Sequence, residues 1–321
     1  MATIIVTYGV PRRMFDEKLA GHQLLIPQPM KAFTKEEMLR LLPEADAVVA
    51  CTAFDAEMIQ AAKKLKLIVC YGAGYDAIDV EAATRAGIMV ANTPDCVTMP
   101  TAELAMALIM SLARRIVDLN DKLHTQPSQQ VFGMGKYMGT SLAGRTLGIV
   151  GMGRIGSLVA DFGRFIGMQV LYTARTPKPH RDALGDRQVS LPELMQQADF
   201  VSLHCPATPE TRQMISREML SLMKPTAYLI NTARGAVVDE EALIQLLRDG
   251  SIAGAGLDVY QNEPNPNPDF LTLPNVILTP HVGSNTLQAR DHMAEQASLR
   301  ILDVLGGNLP QNLLNPEALN T

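Results

Sequence analysis

The 321-residue chain has only four cysteines, Cys51, Cys70, Cys96 and Cys205, and no two of them form a C-x-x-C pair. Its six histidines are scattered too, so neither a disulfide framework nor a metal site is indicated, and reduced thiols in a cytoplasmic setting fit. Positive charge is in slight deficit: 28 Lys and Arg against 33 Asp and Glu leave −5. That balance offers no general attraction to phosphate backbones or anionic lipid, and the basic doublets Arg12-Arg13 and Arg114-Arg115 stand alone, so no nucleic-acid partner is expected. Long apolar runs are missing as well. The most apolar stretch, 104–113, has ten uncharged residues, against the roughly 20 that span a bilayer, and no membrane partner is expected. The opening MATIIVTYGV lacks the basic lead of a secretion signal and reads as a strand. Repeats and low-complexity segments are absent. What remains, 47% hydrophobic and 19% charged, is the composition of a folded protein of about two domains.

Short apolar runs alternate with helical periods. In the first third the runs at 3–6, 24–26, 47–51, 67–70 and 88–91 read as strands. Between them Thr34 and Glu37 form an S/T-x-x-E capping box that opens onto Met38, Leu39, Leu41 and Leu42. A long helix is predicted after Pro100, through TAELAMALIMSLARRIVDLNDKL, followed by a weakly patterned loop over 124–140. A second series begins at Thr146 with TLGIV, QVLYTA, DFVSLHC, AYLINTA, AGAGLDVY and NVILTP. Its helices include 191–197, entered from Ser190, and 240–248, with Asp239 as N-cap and Gly250 as stop; a final helix covers 286–305. Strands alternating with helices imply parallel pairing through right-handed crossovers, an α/β class.

Gly151-Met152-Gly153-Arg154-Ile155-Gly156 stands between a predicted strand and a predicted helix, the context in which G-x-G-x-x-G binds a dinucleotide. The first glycine permits the turn, the second lets backbone approach a pyrophosphate, and the third lets helix and strand pack closely. Arg154 and Ile155 open the helix whose free N–H groups favour phosphate. A rival, Gly72-Ala73-Gly74-Tyr75-Asp76-Ala77, fits the same pattern. It would set Asp76 and Asp79 beside a dianion, so the cofactor is assigned to Gly151, Gly153 and Gly156, leaving the first loop to offer N–H groups to a smaller anion. Nineteen residues past Gly156 stands Arg175, with Thr173 and Thr176 beside it and Lys178 nearby, where NAD sites usually carry an acid for the ribose 2′-hydroxyl. A guanidinium there suits a 2′-phosphate, so NADP(H) is expected to be preferred, with NAD(H) possible.

Three segments end later strands: NTARG with Asn231, Thr232 and Arg234; GLDVYQNEP with Asp258 and Glu263; TPHVGS with His281 and Gly283. In this order, and together with GAGYD, NTPDCVTMPTAEL, GMGRIG and the C-terminal NLLNPE, they make the chain resemble the D-isomer-specific 2-hydroxyacid dehydrogenases over nearly its whole length. The subgroup it resembles most is the glyoxylate/hydroxypyruvate reductases and 2-ketogluconate reductases. The resemblance implies that Arg234 binds a substrate carboxylate and carbonyl oxygen, that His281 is the acid–base and that Glu263 pairs with it. It further places the backbone N–H groups of Ala73 and Gly74 on the carboxylate, Asp258 near the nicotinamide carboxamide and Thr101 near the cofactor. Thr232 and Gly283 join the cofactor set, and Cys205 borders the adenosine. The chemistry wants the same residue types: reducing a ketone leaves an alkoxide that needs a nearby proton donor, and a guanidinium forks onto a 2-oxocarboxylate.

His204, inside a predicted strand, reads as a satisfied core residue; His22, His124, His180 and His292 read as structural or exposed, and the 18 methionines as core filler. Many relatives carry tryptophans in the loop before the glycine motif; this chain has none, and 131–140 offers Phe132 and Tyr137 instead. Corepressors that resemble this family use the fold as a nucleotide sensor, but add interaction segments. Phosphite dehydrogenases place a lysine where Ala73 stands, and formate dehydrogenases lack the histidine–glutamate pairing. The expected architecture is two Rossmann-like domains, a flavodoxin-like substrate domain over 1–98 plus 287–321 and a doubly wound dinucleotide-binding domain over 99–286, with a cleft between them. The resemblance also implies a homodimer, a small 2-oxoacid or 2-hydroxyacid partner and no metal.

Overall fold

A computed structural model describes residues 1–125 and 133–320. The backbone separates into two compact units, Met1–Val97 with Ser284–Thr321, and Thr98–Gly283. In the first, β1 (Thr3–Val6), β2 (Gln23–Leu25), β3 (Ala47–Ala50), β4 (Leu67–Cys70) and β5 (Met89–Asn92) form a sheet in the order β2-β1-β3-β4-β5. Every neighbouring pair is parallel. The strands read as unbroken apolar runs because both faces are covered. Val48 and Ala50 join one core with Met38, Leu42 and Ile59, while Ala47 and Val49 join the other with Phe15, Leu19 and Ile301. The capping box forms as predicted: the Thr34 hydroxyl accepts from the Glu37 amide, and the Glu37 carboxylate accepts from the Thr34 amide.

The second unit holds β6 (Thr146–Val150), β7 (Gln169–Thr173), β8 (Arg187–Gln188), β9 (Phe200–Leu203), β10 (Tyr228–Asn231), β11 (Gly254–Leu257) and β12 (Val276–Leu278). Their order is β12-β11-β10-β9-β6-β7-β8, again with parallel pairing throughout. The chain winds outward from β6 to β8, then returns to the other flank of β6 with β9. Strand order therefore reverses between β6 and β9, and an open parallel sheet collects its ligands outside the carboxyl ends at such a reversal. The residues found there are Gly151 after β6, and His204 and Cys205 after β9.

The long helix departs from the sequence reading. It starts at Asp95, not after Pro100, so the proline lies inside its second turn. There Pro100 withholds only the bond that would reach the Cys96 carbonyl, close to a helix end whose ladder is just beginning. The helix also does not run through: Arg115 takes φ +56° and divides it into Asp95–Arg114 and Ile116–Thr125. The first of these is long and apolar enough by length and composition to cross a membrane. Its Ala105, Leu108, Ile109 and Leu112, however, are buried with Leu147, Ile149 and Phe200 of the sheet, which is where that apolar surface is used. Phe132 lies outside the described residues. Tyr137 faces the charges of Arg115 and Lys122, 5.8 and 5.4 Å from its ring centre.

Asn315, in the C-terminal NLLNPE segment, is buried. Its Oδ1 accepts from the Val90 amide at 2.7 Å, and its Nδ2 donates to the Ile88 carbonyl and Thr84 Oγ1, both at 2.9 Å. Asn315→Ala would strand a strand amide inside the first unit, so urea unfolding followed by circular dichroism is expected to show a loss of about 2–4 kcal/mol. A loss below about 0.5 kcal/mol would mean that water replaces the side chain without cost.

Candidate active site

The glycine loop is shaped by close approach at two points. Gly151 has φ +100°, and a Cβ there would lie 2.8 Å from the Cys205 amide nitrogen. At Gly156 a Cβ would fall 2.2 Å from the Gly151 carbonyl oxygen. The first and third glycines thus bring β6, its following helix and the end of β9 together. Gly153 differs, with nothing within 4 Å of its would-be Cβ, so the loop opens onto space at its middle. Gly153 is also the N-cap of helix Arg154–Phe165, whose first turn takes no side-chain cap and presents its N–H end to that opening. An open cradle at a helix N-terminus, at the reversal of strand order, fits the pyrophosphate of a dinucleotide.

Beside it lies a cavity of about 410 Å³. One wall, at the end of β7, carries Arg175, Thr176 and Lys178; the other, after β9, carries His204, Cys205 and Glu210. Burial pushes the Cys205 thiol up to about 11 and His204 down to about 3, so both are neutral at physiological pH. The cavity's formal charges are therefore Arg175, Lys178 and Glu210. The expectation for His204 needs correcting: Nε2 bonds Ser202 Oγ at 2.9 Å, but the buried Nδ1 has no partner, so the ring is only half satisfied. Thr232 Oγ1, after β10, is likewise buried without a partner. Such orphaned polar atoms favour a polar ligand in this unit.

A second group of residues gathers around β10, β11 and β12. His281 Nδ1 donates to Glu263 Oε2 at 2.6 Å, and Glu263 Oε1 accepts from the Tyr260 amide at 3.1 Å. Burial would raise the Glu263 carboxyl. The hydrogen bond and charge of His281, the Tyr260 amide and the nearby Arg234 outweigh it and hold Glu263 below its ordinary value. Arg234 reaches this neighbourhood because Gly235 has no side chain; a Cβ there would sit 2.0 Å from the Tyr260 carbonyl carbon. Asn231 fixes the turn, accepting from the Ala233 amide at 3.0 Å and donating to the Arg234 carbonyl at 2.9 Å.

Asp258 organises the loop that carries His281. Its carboxylate accepts from Thr279 Oγ1 at 2.6 Å and from the Val282 and Gly283 amides at 2.8 and 2.9 Å, and its carbonyl accepts from the His281 amide at 2.9 Å. Those bonds hold His281 at φ +51°, a left-handed conformation that a histidine adopts only when its surroundings require it. Thr101 is buried against Gly283, where a Cβ would lie 3.4 Å from its Oγ1. The bracing role of Asp258 is invisible to the sequence pattern, since its side-chain partners lie 21 to 25 residues away. In the first unit, the Ala73 carbonyl accepts from Asn92 Nδ2 and the Gly74 carbonyl from the Cys70 thiol. The Ala73 and Gly74 amides have no acceptor among the described residues.

A profile of the D-isomer specific 2-hydroxyacid dehydrogenases, NAD binding domain, matches residues 106–283. The chain is 43% identical to the glyoxylate reductase of Thermococcus litoralis, across 99% of this chain and 98% of that one. Among solved structures it resembles the TT0316 protein of Thermus thermophilus, with TM-score 0.89 at 41% identity, covering 97% and 99% of the two chains. It also resembles an NADPH-dependent glyoxylate/hydroxypyruvate reductase of Sinorhizobium meliloti solved with NADP and malonate, with TM-score 0.86 at 28% identity over 99% and 97%. With its two parallel sheets and its nicotinamide-dinucleotide fold, this chain belongs to the D-isomer specific 2-hydroxyacid dehydrogenases, a family of NAD(P)-dependent oxidoreductases.

Proposed function

We propose that the protein is an NADPH-preferring reductase of short 2-oxoacids such as glyoxylate, hydroxypyruvate or 2-ketogluconate, yielding D-2-hydroxyacids. The observation that carries the chemistry is the 2.6 Å His281–Glu263 bond, with Arg234 close enough to bear on the same carboxylate. When bound, the dinucleotide supplies the hydride. Glu263 accepts the hydrogen bond from Nδ1–H and orients the ring, so His281 in its imidazolium form presents Nε2–H as the acid; it gives that proton to the substrate's C2 oxygen and is left as the neutral Nδ1–H tautomer. Arg234 offers a planar fork to the carboxylate and polarises the carbonyl. The amides of Ala73 and Gly74 add donors for the same carboxylate. Gly151, Gly153, Arg154, Ile155 and Gly156 hold the pyrophosphate; Thr101, Thr232, Asp258 and Gly283 serve the nicotinamide side, and Cys205 borders the adenosine.

Preference for NADPH rests on Arg175 and Thr176, with Lys178, at the end of β7, where no acid stands. The NADPH dependence of the Sinorhizobium neighbour and the glyoxylate reductase names of the curated relatives agree with this reading. We further propose a cytoplasmic homodimer. The exposed Met110, Ile116, Val117 and Leu123 of the two helices between 95 and 125 supply an apolar face for a second copy.

With glyoxylate or hydroxypyruvate, kcat/KM for NADPH is expected to exceed that for NADH by about tenfold or more, roughly the value of one charge-assisted bond. The reverse ratio would overturn the cofactor assignment. His281→Ala should lower kcat by about 10²- to 10⁴-fold while NADPH binding measured by fluorescence is kept, and Arg234→Ala should chiefly raise KM for the oxoacid. An unchanged kcat in the histidine variant would remove the mechanism. Glu263 sits below its ordinary 4.5, so its carboxylate is in place above that pH and is lost as pH falls through the lowered value. Glu263→Gln should therefore cost about tenfold or more in kcat at neutral pH, and this deficit should shrink on acidification as wild-type Glu263 protonates. Sedimentation at micromolar protein should return twice the 34.9 kDa chain mass; a monomer would refute the dimer.

A further inference from the structure

The turn after β9 is pinned by its own hydroxyls. Thr211 Oγ1 donates to the Pro206 carbonyl at 2.7 Å and accepts from the Thr208 amide at 2.8 Å. Thr208 Oγ1 in turn donates to Glu210 Oε2 at 2.7 Å, which leaves Oε1 as the acceptor available to a ligand. Glu210 is thus a fixed acid on the wall of the cavity that also carries Arg175 and Lys178. The Thr208 hydroxyl, Glu210's own amide and the charge of Arg175 hold its carboxyl below the ordinary range, so it is anionic at neutral pH. A carboxylate faces the very cations that would take a 2′-phosphate.

We propose that Glu210 is a specificity-determining residue for the dinucleotide, accepting a hydrogen bond from a free ribose 2′-hydroxyl and repelling a 2′-phosphate. The acid that NAD sites usually carry at the end of the second strand is missing from β7 in this chain, and Glu210 supplies one from the opposite wall. The inference rests on the reading that Arg175 marks the 2′-phosphate position. It explains how one cavity can accept both dinucleotides: Arg175 and Lys178 favour the phosphorylated form, and Glu210 moderates that preference. Because Glu210 is exposed, its effect is Coulombic and should fade with salt.

The test uses the full chain and two fragments that carry only the adenosine end, adenosine 2′,5′-bisphosphate and 5′-AMP, titrated calorimetrically. Wild type should bind the bisphosphate more tightly. Glu210→Gln should raise the Kd ratio of 5′-AMP to bisphosphate by about three- to tenfold at low salt, and by less at about 0.5 M salt. Glu210→Asp, which keeps the charge, should stay near the wild-type ratio. A ratio that is unchanged or lowered in Glu210→Gln overturns the proposal. Wild type binding 5′-AMP more tightly than the bisphosphate would instead refute the NADPH assignment, while the shift on Glu210→Gln still decides the role of Glu210.

Discussion

One buried carboxylate determines whether the proposed acid–base can exist. Asp258 gathers a hydroxyl and two amides from the loop after β12, and its backbone oxygen takes the His281 amide. A left-handed residue that is not glycine costs of order 1–3 kcal/mol, and four hydrogen bonds from one residue are enough to offset that. The outcome is a histidine whose ring is aimed by its backbone and then clamped by Glu263. Glu263 is itself held by the Tyr260 amide, and Tyr260 donates its hydroxyl to the Thr279 carbonyl at 2.7 Å, back in the histidine's own loop. Backbone and side chain thus form a closed set of constraints, in which each group is placed by a neighbour that is itself placed. Preorganisation of this sort is what a proton transfer needs, because a misplaced donor loses rate steeply with distance.

The cavity beside the glycine loop follows a different logic. Burial neutralises its softer titratable groups, His204 and Cys205, and leaves Arg175, Lys178 and Glu210 as the charged side chains of its lining. A neutral interior would admit an adenine ring without an electrostatic penalty, and under the proposed function the rim would read the charge on the sugar. The half-satisfied His204 has the same sense. A fully bonded imidazole at the reversal of strand order would have no capacity left for a polar ligand, whereas one with a free Nδ1 retains it.

Much of this is legible in the sequence wherever the cause is local. The capping box at Thr34, the N-caps at Ser190 and Asp239, and the strand–glycine–helix junction at Gly151 each depend on residues within a few positions of one another, and each forms as its spacing implies. The long helix departs from its pattern for the complementary reason. Proline is a start signal in sequence, yet at Pro100 only one bond is lost, and the buried face of the helix fixes its course more strongly than that loss disturbs it. Its break at Arg115 has no glycine or proline to announce it. The bracing by Asp258, the close approach of Gly235 to Tyr260 and the orphaned nitrogen of His204 are properties of packing, and pattern reading has no access to them.

The two glycine motifs differ in local geometry as well as in charge. At Gly153 the helix begins with the next residue, so its first amides stand at the loop and their partial charge acts where a phosphate would lie. After Gly72 the chain runs on to Val80 before a helix starts, and that helix is already capped by Asp79, whose carboxylate accepts from the Ala82 amide. That bond takes up one of the helix's first amides and sets a carboxylate at its positive end, where it opposes a pyrophosphate. Asp79 thus adds to the negative charge of the first loop and caps its helix, while the amides of Ala73 and Gly74 have no acceptor among the described residues. Two adjacent amides suit a carboxylate better than a pyrophosphate, so under the proposed function two similar glycine strings in one chain would serve anions of different size.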